Sequence, residues 1–164
     1  MTMNFEFYET PDPFTRWLFH VVAMQQGYPI IGRIFEPCVG DGAIIRVAQS
    51  LPAAPDREWF SNDLDRRWPA DYHFDAAGTK NREWEIDRIG HVDWTVSNPP
   101  FTPAIEIIDN ALGVSRAGVA MHLRASCHEV LKTGIRRTWM ATHTPTGILW
   151  LPRFAYQRSP TTGK

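Results

Sequence analysis

Residues 31–42 read Ile-Gly-Arg-Ile-Phe-Glu-Pro-Cys-Val-Gly-Asp-Gly, followed by Ala-Ile-Ile. The first six form a short run bounded by turn residues, which predicts a strand over 31–36 that ends on an acid, Glu36. Gly40 and Gly42 remove two side chains, so the backbone can curl tightly and approach a ligand. A helix from about Ala43 to Leu51 follows, and its first amides are expected to point into the site. Strand, glycine-rich turn and helix open an α/β unit. The turn lacks the third glycine of a dinucleotide fingerprint, and no Gly-Lys-Ser/Thr phosphate loop occurs. An acid at the strand end disfavours phosphate and suits a cation.

Working outward, 12–26 reads as a helix with Asp12 as N-cap, Pro13 in its first turn and Gly27 as its stop. Strands are predicted over 57–62, 92–97, 117–123 and 147–151 (GILWL), with a short one over Tyr72 to Phe74. Helices are predicted over 103–112, with Thr102 as cap and Pro103 first, and over 126–142, which Gly134 can split. About one helical turn falls within 80–89. This alternation predicts a single domain over 1–164, α/β in class, with a mostly parallel sheet and helices on both faces. Such sheets bind ligands beyond the carboxyl ends of their strands, where strand order reverses.

The 164 residues suit one domain, and 43% hydrophobic content suffices for a core. No apolar run reaches the ~18 residues of a membrane span. The start, MTMNFEFYETPDPF, lacks the features of a signal peptide. Cys38 and Cys127 are too few for a disulfide framework, so a cytoplasmic, reducing setting is expected. Six scattered histidines show no zinc spacing, so no metal is expected. Residues 1–114 carry 9 Lys/Arg against 17 Asp/Glu, whereas residues 115–164 carry 8 against 1. The basic third can meet a polyanion, through Lys132, Arg136, Arg137 and Arg153 at phosphates and Trp139 and Trp150 at bases. A solvated basic face explains the same charges.

Two further strand ends carry chemistry. Asp63 lies 27 residues after Glu36, where a carboxylate can accept from both hydroxyls of a ribose; Asp65 is the less favoured choice. Asp75 can take the amine of an adenine ring. Ser97-Asn98-Pro99-Pro100-Phe101 ends strand VDWTV in a stiff turn. The Asn98 side-chain carbonyl and the Pro99 main-chain carbonyl can both accept from one NH2 group. An amine conjugated to a ring is a poor nucleophile, and two acceptors draw it toward tetrahedral geometry. Phe101 offers a flat face for the ring, worth roughly 1–3 kcal/mol per stacked base. Cys127-His128-Glu129 is a weaker nucleophile-and-base candidate, because neighbouring helical residues do not face one another.

Together EPCVGDG and SNPPF resemble the cofactor and catalytic motifs of S-adenosylmethionine (AdoMet)-dependent amino-methyltransferases, in the subgroup with the cofactor motif first. Tyr8-Glu9-Thr10-Pro11 resembles that subgroup's cofactor-closing N-terminal element. The runs AGVAMHLRAS and GILWLPRFAYQR are similar to phage and bacterial DNA adenine methyltransferase-like proteins, so the likeness spans nearly the whole chain. The resemblance implies a Rossmann-like fold and AdoMet as cofactor. It implies Tyr8, Thr10 and Pro11 bordering the cofactor, and Glu36, Pro37, Cys38, Gly40, Asp41 and Gly42 lining its methionine end. It implies Asp63 at the ribose and Asp75 near the adenine, with Asn98, Pro99, Pro100 and Phe101 as the catalytic pocket. The expected reaction is methylation of an exocyclic amine, foremost that of adenine in DNA. An RNA base, a protein glutamine, or a silent AdoMet-binding subunit are the alternatives. The family's last strand is antiparallel. Here RFAYQR either joins that pairing or the final strand is missing, which would leave an edge open to a second copy or a partner subunit.

Overall fold

The computed structural model describes residues 9–78, 89–124 and 135–151, with 135–137 as backbone alone. Pro11, extended at φ −62° and ψ 134°, holds the N-cap place of α1 (Asp12–Gln26). Asp12 is thus the first helical residue and not the cap. Proline brings no side-chain acceptor, so the helix opens on the Phe14 N–H donating to the Pro11 carbonyl at 2.9 Å. Gly27 ends the helix as expected. Thr15, Leu18, Phe19 and Val22 recur at helical spacing and turn inward.

The remaining elements are β1 (Gly32–Glu36), α2 (Ala43–Gln49), β2 (Arg57–Ser61), β3 (Val92–Ser97), α3 (Ala104–Val114), β4 (Ser115–Met121) and α4 (Ile135–Thr142). The four strands form one sheet in the order β2-β1-β3-β4. Every pairing is parallel, with Ile34 opposite Trp59 on one side and Trp94 on the other. The chain steps from β1 outward to β2, then returns to the far side of β1 for β3. Strand order therefore reverses between β1 and β3, whose carboxyl ends are Glu36 and Ser97.

Both faces of the sheet are covered. Ile34, Trp94, Val96 and Ala120 pack with Phe19, Ile30, Ile44 and Ala48. Phe35 and Val92 pack on the other face with Phe74, Ile107, Ala111 and Val114. The β3–β4 register shifts between Val92 and Trp94, where two steps along β3 face three along β4, from Ser115 to Gly118. Gly118 lies opposite Trp94, and a Cβ there would come within 2.5 Å of the indole ring.

Three expectations are corrected. The helix predicted from Pro103 starts at Ala104, because the Pro103 carbonyl takes the first helical bond, from the Ile107 N–H. Tyr72 to Phe74 contributes only an isolated parallel bridge, Asn62 to Tyr72. GILWL at 147–151 is not a strand, and Ile148, Leu149 and Trp150 are 48%, 40% and 66% exposed. A β-rich run becomes a strand only when an edge pairs with it, and no described strand does. Tyr8, Lys132 and Arg153, with Cys127-His128-Glu129, most of 80–89, 126–134 and RFAYQR, lie outside the described residues, as do the Arg136 and Arg137 side chains. Among the described residues no helix is long and apolar enough to cross a membrane.

Candidate active site at the switch point

The Glu36 and Asn98 loops open into one cleft. It encloses about 840 Å³ of empty space, its open mouth included. Its walls bring together Thr10, Glu36, Pro37, Cys38, Gly40, Asp41, Asp63, Asp75, Asn98 and Pro100. Gly42 shapes the site without lining it. Gly40 (φ 53°) and Gly42 (φ 77°) take the left-handed conformation that a side chain would strain, and Gly42 is the N-cap of α2. Two amides of this turn are taken by side-chain acceptors. The Gly40 N–H donates to Asp63 Oδ2 at 2.8 Å and the Ala43 N–H to Asp41 Oδ1 at 3.1 Å. Nearby carboxylates have taken the place an anion would hold.

Glu36 is 1% exposed, and its Oε2 has no hydrogen-bond partner. Burial, then the charges of Asp41 and Asp63, push its carboxyl well above its ordinary pKa of 4.5. A buried carboxylate in this position must keep a proton or find a cation. Among the described residues, the cleft lining includes five carboxylates, Glu36, Asp41, Asp63, Asp65 and Asp75, and no Lys, Arg or His. No three of the described acids, histidines or cysteines converge as a metal site. The walls therefore favour an organic cation.

Asn62 is fully buried and holds the acid-bearing loops together. Its Nδ2 donates to the Pro37 carbonyl at 2.9 Å and the Phe74 carbonyl at 3.1 Å, while its Oδ1 accepts from the Phe74 N–H at 2.9 Å. Its main chain bonds the Glu36 carbonyl and the Val39 N–H. Asp63 Oδ1 accepts from the Asp65 N–H at 2.8 Å. Burial raises the Asp63 pKa against the pull of its two backbone donors. A carboxylate offers about four lone-pair sites, so capacity for hydroxyl donors remains. Asp65 is engaged by Arg67, which leaves Asp63 the less occupied of the two acids. Asp75 is exposed at the cleft and its Oδ1 accepts from the Ala77 N–H.

Across the cleft, Asn98 Nδ2 donates to Thr10 Oγ1 at 3.0 Å. Thr10 is 7% exposed, so this partner is itself held. The bond sets which way the amide faces: with nitrogen on Thr10, Oδ1 occupies the other edge. Pro99 is fully buried and Pro100 lines the cleft. Phe101 is half-buried and does not line it. The Arg124 guanidinium lies over the Phe101 ring, 4.2 Å from its centroid. Burial, with Asp63 and Glu36 nearby, pushes the Cys38 thiol far up, so it stays a neutral wall group. Pro11 is displaced from the cleft to the start of α1. Trp139 donates from Nε1 to Asp109 at 2.8 Å and stacks on His143.

The roles of Thr10 and Asn62 escaped the sequence reading, as did the apolar lining from Leu64, Trp68, Ala76 and Ile107. Asn62 stands beside Asp63 in the quoted strand end, but nothing local marks it as a junction.

No protein-family model matches the chain, and no curated protein matches it. Solved structures do resemble it. The methyltransferase subunit of a type I restriction-modification system from Streptococcus thermophilus aligns at TM-score 0.60 and 11% identity, over 82% of this chain and 38% of that one. A protein from Pyrococcus horikoshii assigned as an RNA methyltransferase aligns at TM-score 0.50 and 18% identity, over 73% of this chain and 64% of its own. The chain thus spans less than two thirds of either neighbour. The likeness establishes the fold: α/β, Rossmann-like, of the methyltransferase type.

Proposed function

We propose that this chain transfers a methyl group from AdoMet to an exocyclic amine, foremost that of adenine in DNA. The observation that carries the reading is the placement of an orphaned buried acid, Glu36, in the same cleft as an amide oriented by Thr10. Bound AdoMet supplies a methyl carbon made electrophilic by its sulfonium, together with an ammonium group. Glu36 would answer the ammonium as a carboxylate, its proton passing to water. Asp63 accepts from ribose hydroxyls, and Asp75 accepts from the adenine amine of the cofactor. Leu64 and Ile107 add apolar surface.

On the substrate side, Asn98 Oδ1 and the Pro99 carbonyl accept from the two hydrogens of the target NH2. This directs the nitrogen lone pair away from its ring and toward the cleft. AdoMet, when bound, would supply the methyl carbon with its sulfur as leaving group, while Asn98 and Pro99 would hold the amine, whose surplus proton would pass to water. Positioning and fixed dipoles supply the catalysis. A base inside a duplex must first leave the stack, at a cost of a few kcal/mol.

The test combines calorimetric titration with AdoMet and transfer of radiolabelled methyl to DNA, RNA and protein. The expected result is binding, with label in DNA that Asn98→Ala abolishes. Absence of AdoMet binding overturns the reading, and label entering only protein or only RNA overturns the substrate.

A further inference from the structure

Beyond the cleft, an exposed cation sits on the aromatic that ends the Asn-Pro-Pro motif. β4 pairs with β3 as far as Ser97 opposite Met121. The ladder continues through the His122 N–H, which donates to the Ser97 carbonyl at 2.9 Å. The chain after β4 therefore runs beside the Asn98 loop, and Arg124 reaches that loop from its neighbour strand. Its side chain is exposed, with the guanidinium stacked on Phe101. The cleft lining is rich in carboxylates and, among the described residues, carries no basic side chain. The described lining thus offers a phosphate no cationic partner, whereas the Arg124 guanidinium stands beside the Asn98 loop, outside that lining.

From this juxtaposition we propose that Arg124 contacts the backbone phosphate of a nucleic-acid strand whose target base enters against Phe101. The inference rests on the nucleic-acid reading above and adds a residue that the motif does not contain. A guanidinium stacked on a ring gains a modest attraction, whereas a charge-assisted pair with phosphate is stronger and can be bidentate. An incoming base competes for the ring face that Arg124 covers. Its phosphodiester arrives within reach at the same moment, so the displaced cation exchanges a ring for an anion. The cationic rim then faces the strand while the acidic interior faces the cofactor, which keeps the two ligands in separate fields.

The experiment measures binding of fluorescent single-stranded DNA and RNA oligonucleotides to wild type, Arg124→Gln and Arg124→Lys across a salt series. AdoMet affinity is measured alongside by calorimetry. Arg124→Gln should bind the preferred oligonucleotide about five- to tenfold more weakly, with the slope of log K against log salt shallower by about 0.7 for one lost phosphate contact. Arg124→Lys should retain the slope, and AdoMet affinity should stay within twofold in both variants. An unchanged slope in Arg124→Gln, or a wild type that binds neither oligonucleotide, overturns the inference. Label transfer with an unchanged slope refutes Arg124 alone. Failure to bind AdoMet refutes the methyltransferase reading, while the slopes still decide the role of Arg124.

Discussion

Replacing Asn62 with alanine should loosen the cleft from beneath without touching any group proposed to meet a ligand. The side chain makes three hydrogen bonds in a fully buried place, two as donor and one as acceptor. Alanine leaves the Phe74 N–H and the Pro37 and Phe74 carbonyls without those partners. A typical hydrogen bond contributes about 1 kcal/mol net, and an orphaned buried group costs about 1–3 kcal/mol. The carbonyls keep a second lone pair and suffer less, so the expected loss is about 2–4 kcal/mol. For a chain of this size, 1 kcal/mol moves Tm by about 2–4 °C, which gives a fall of about 4–16 °C. Urea unfolding and calorimetry on the same samples provide the measurement. AdoMet binding should weaken as well, because Asn62 ties the Pro37 loop to the loop bearing Asp75. A variant with wild-type midpoint and wild-type AdoMet affinity would show that these bonds do not hold the loops, and the account of the site's architecture would be wrong.

Thr10→Val keeps the shape but removes the acceptor for Asn98 Nδ2; turnover should fall about ten- to hundredfold through misplacement, and Thr10→Ser should restore it. Equal turnover for wild type and Thr10→Val would remove Thr10 from the mechanism. Glu36 holds its proton to higher pH in the fold than in the unfolded chain. The ligand-free fold thus binds more protons from about pH 4.5 upward, and its stability falls as pH rises through that window. Glu36→Gln should be more stable than wild type at neutral pH and bind AdoMet at least about tenfold more weakly; urea midpoints from pH 5 to 8 that coincide for the two proteins would refute this. Burial lowers the His122 pKa from 6.5 to about 4, so the fold requires a neutral ring. Stability present above pH 6.5 is lost as pH falls toward 4, by up to about 3 kcal/mol. His122→Phe, which keeps the edge contact with Phe14, should flatten that slope in acid unfolding.

The sequence disclosed what is carried by neighbours along the chain. Glu36-Pro37-Cys38-Val39-Gly40-Asp41-Gly42 declares a strand end, a left-handed turn and a helix start within a few residues, and Ser97 to Phe101 declares a rigid exit. Parallel strands follow from the alternation of elements. Thr10 meeting Asn98 does not, because 88 residues separate them and no periodicity connects them. Arg124 over Phe101 depends on the β3–β4 register, which hydropathy does not reveal. GILWL failed as a strand for a related reason: its composition suits a pleat, but pairing is a property of two segments.

The pairing of Ile34 with Trp94 and of Phe35 with Thr95 has an evolutionary corollary. The two working loops leave adjacent strands within a few residues of a shared backbone ladder, so their separation is set by peptide geometry rather than by side-chain identity. Substitutions elsewhere can accumulate almost freely while the spacing survives. A chain only 11% identical to a neighbour can thus share its scaffold. Lineages of this architecture should therefore exchange substrates far more readily than they exchange the distance between their two loops.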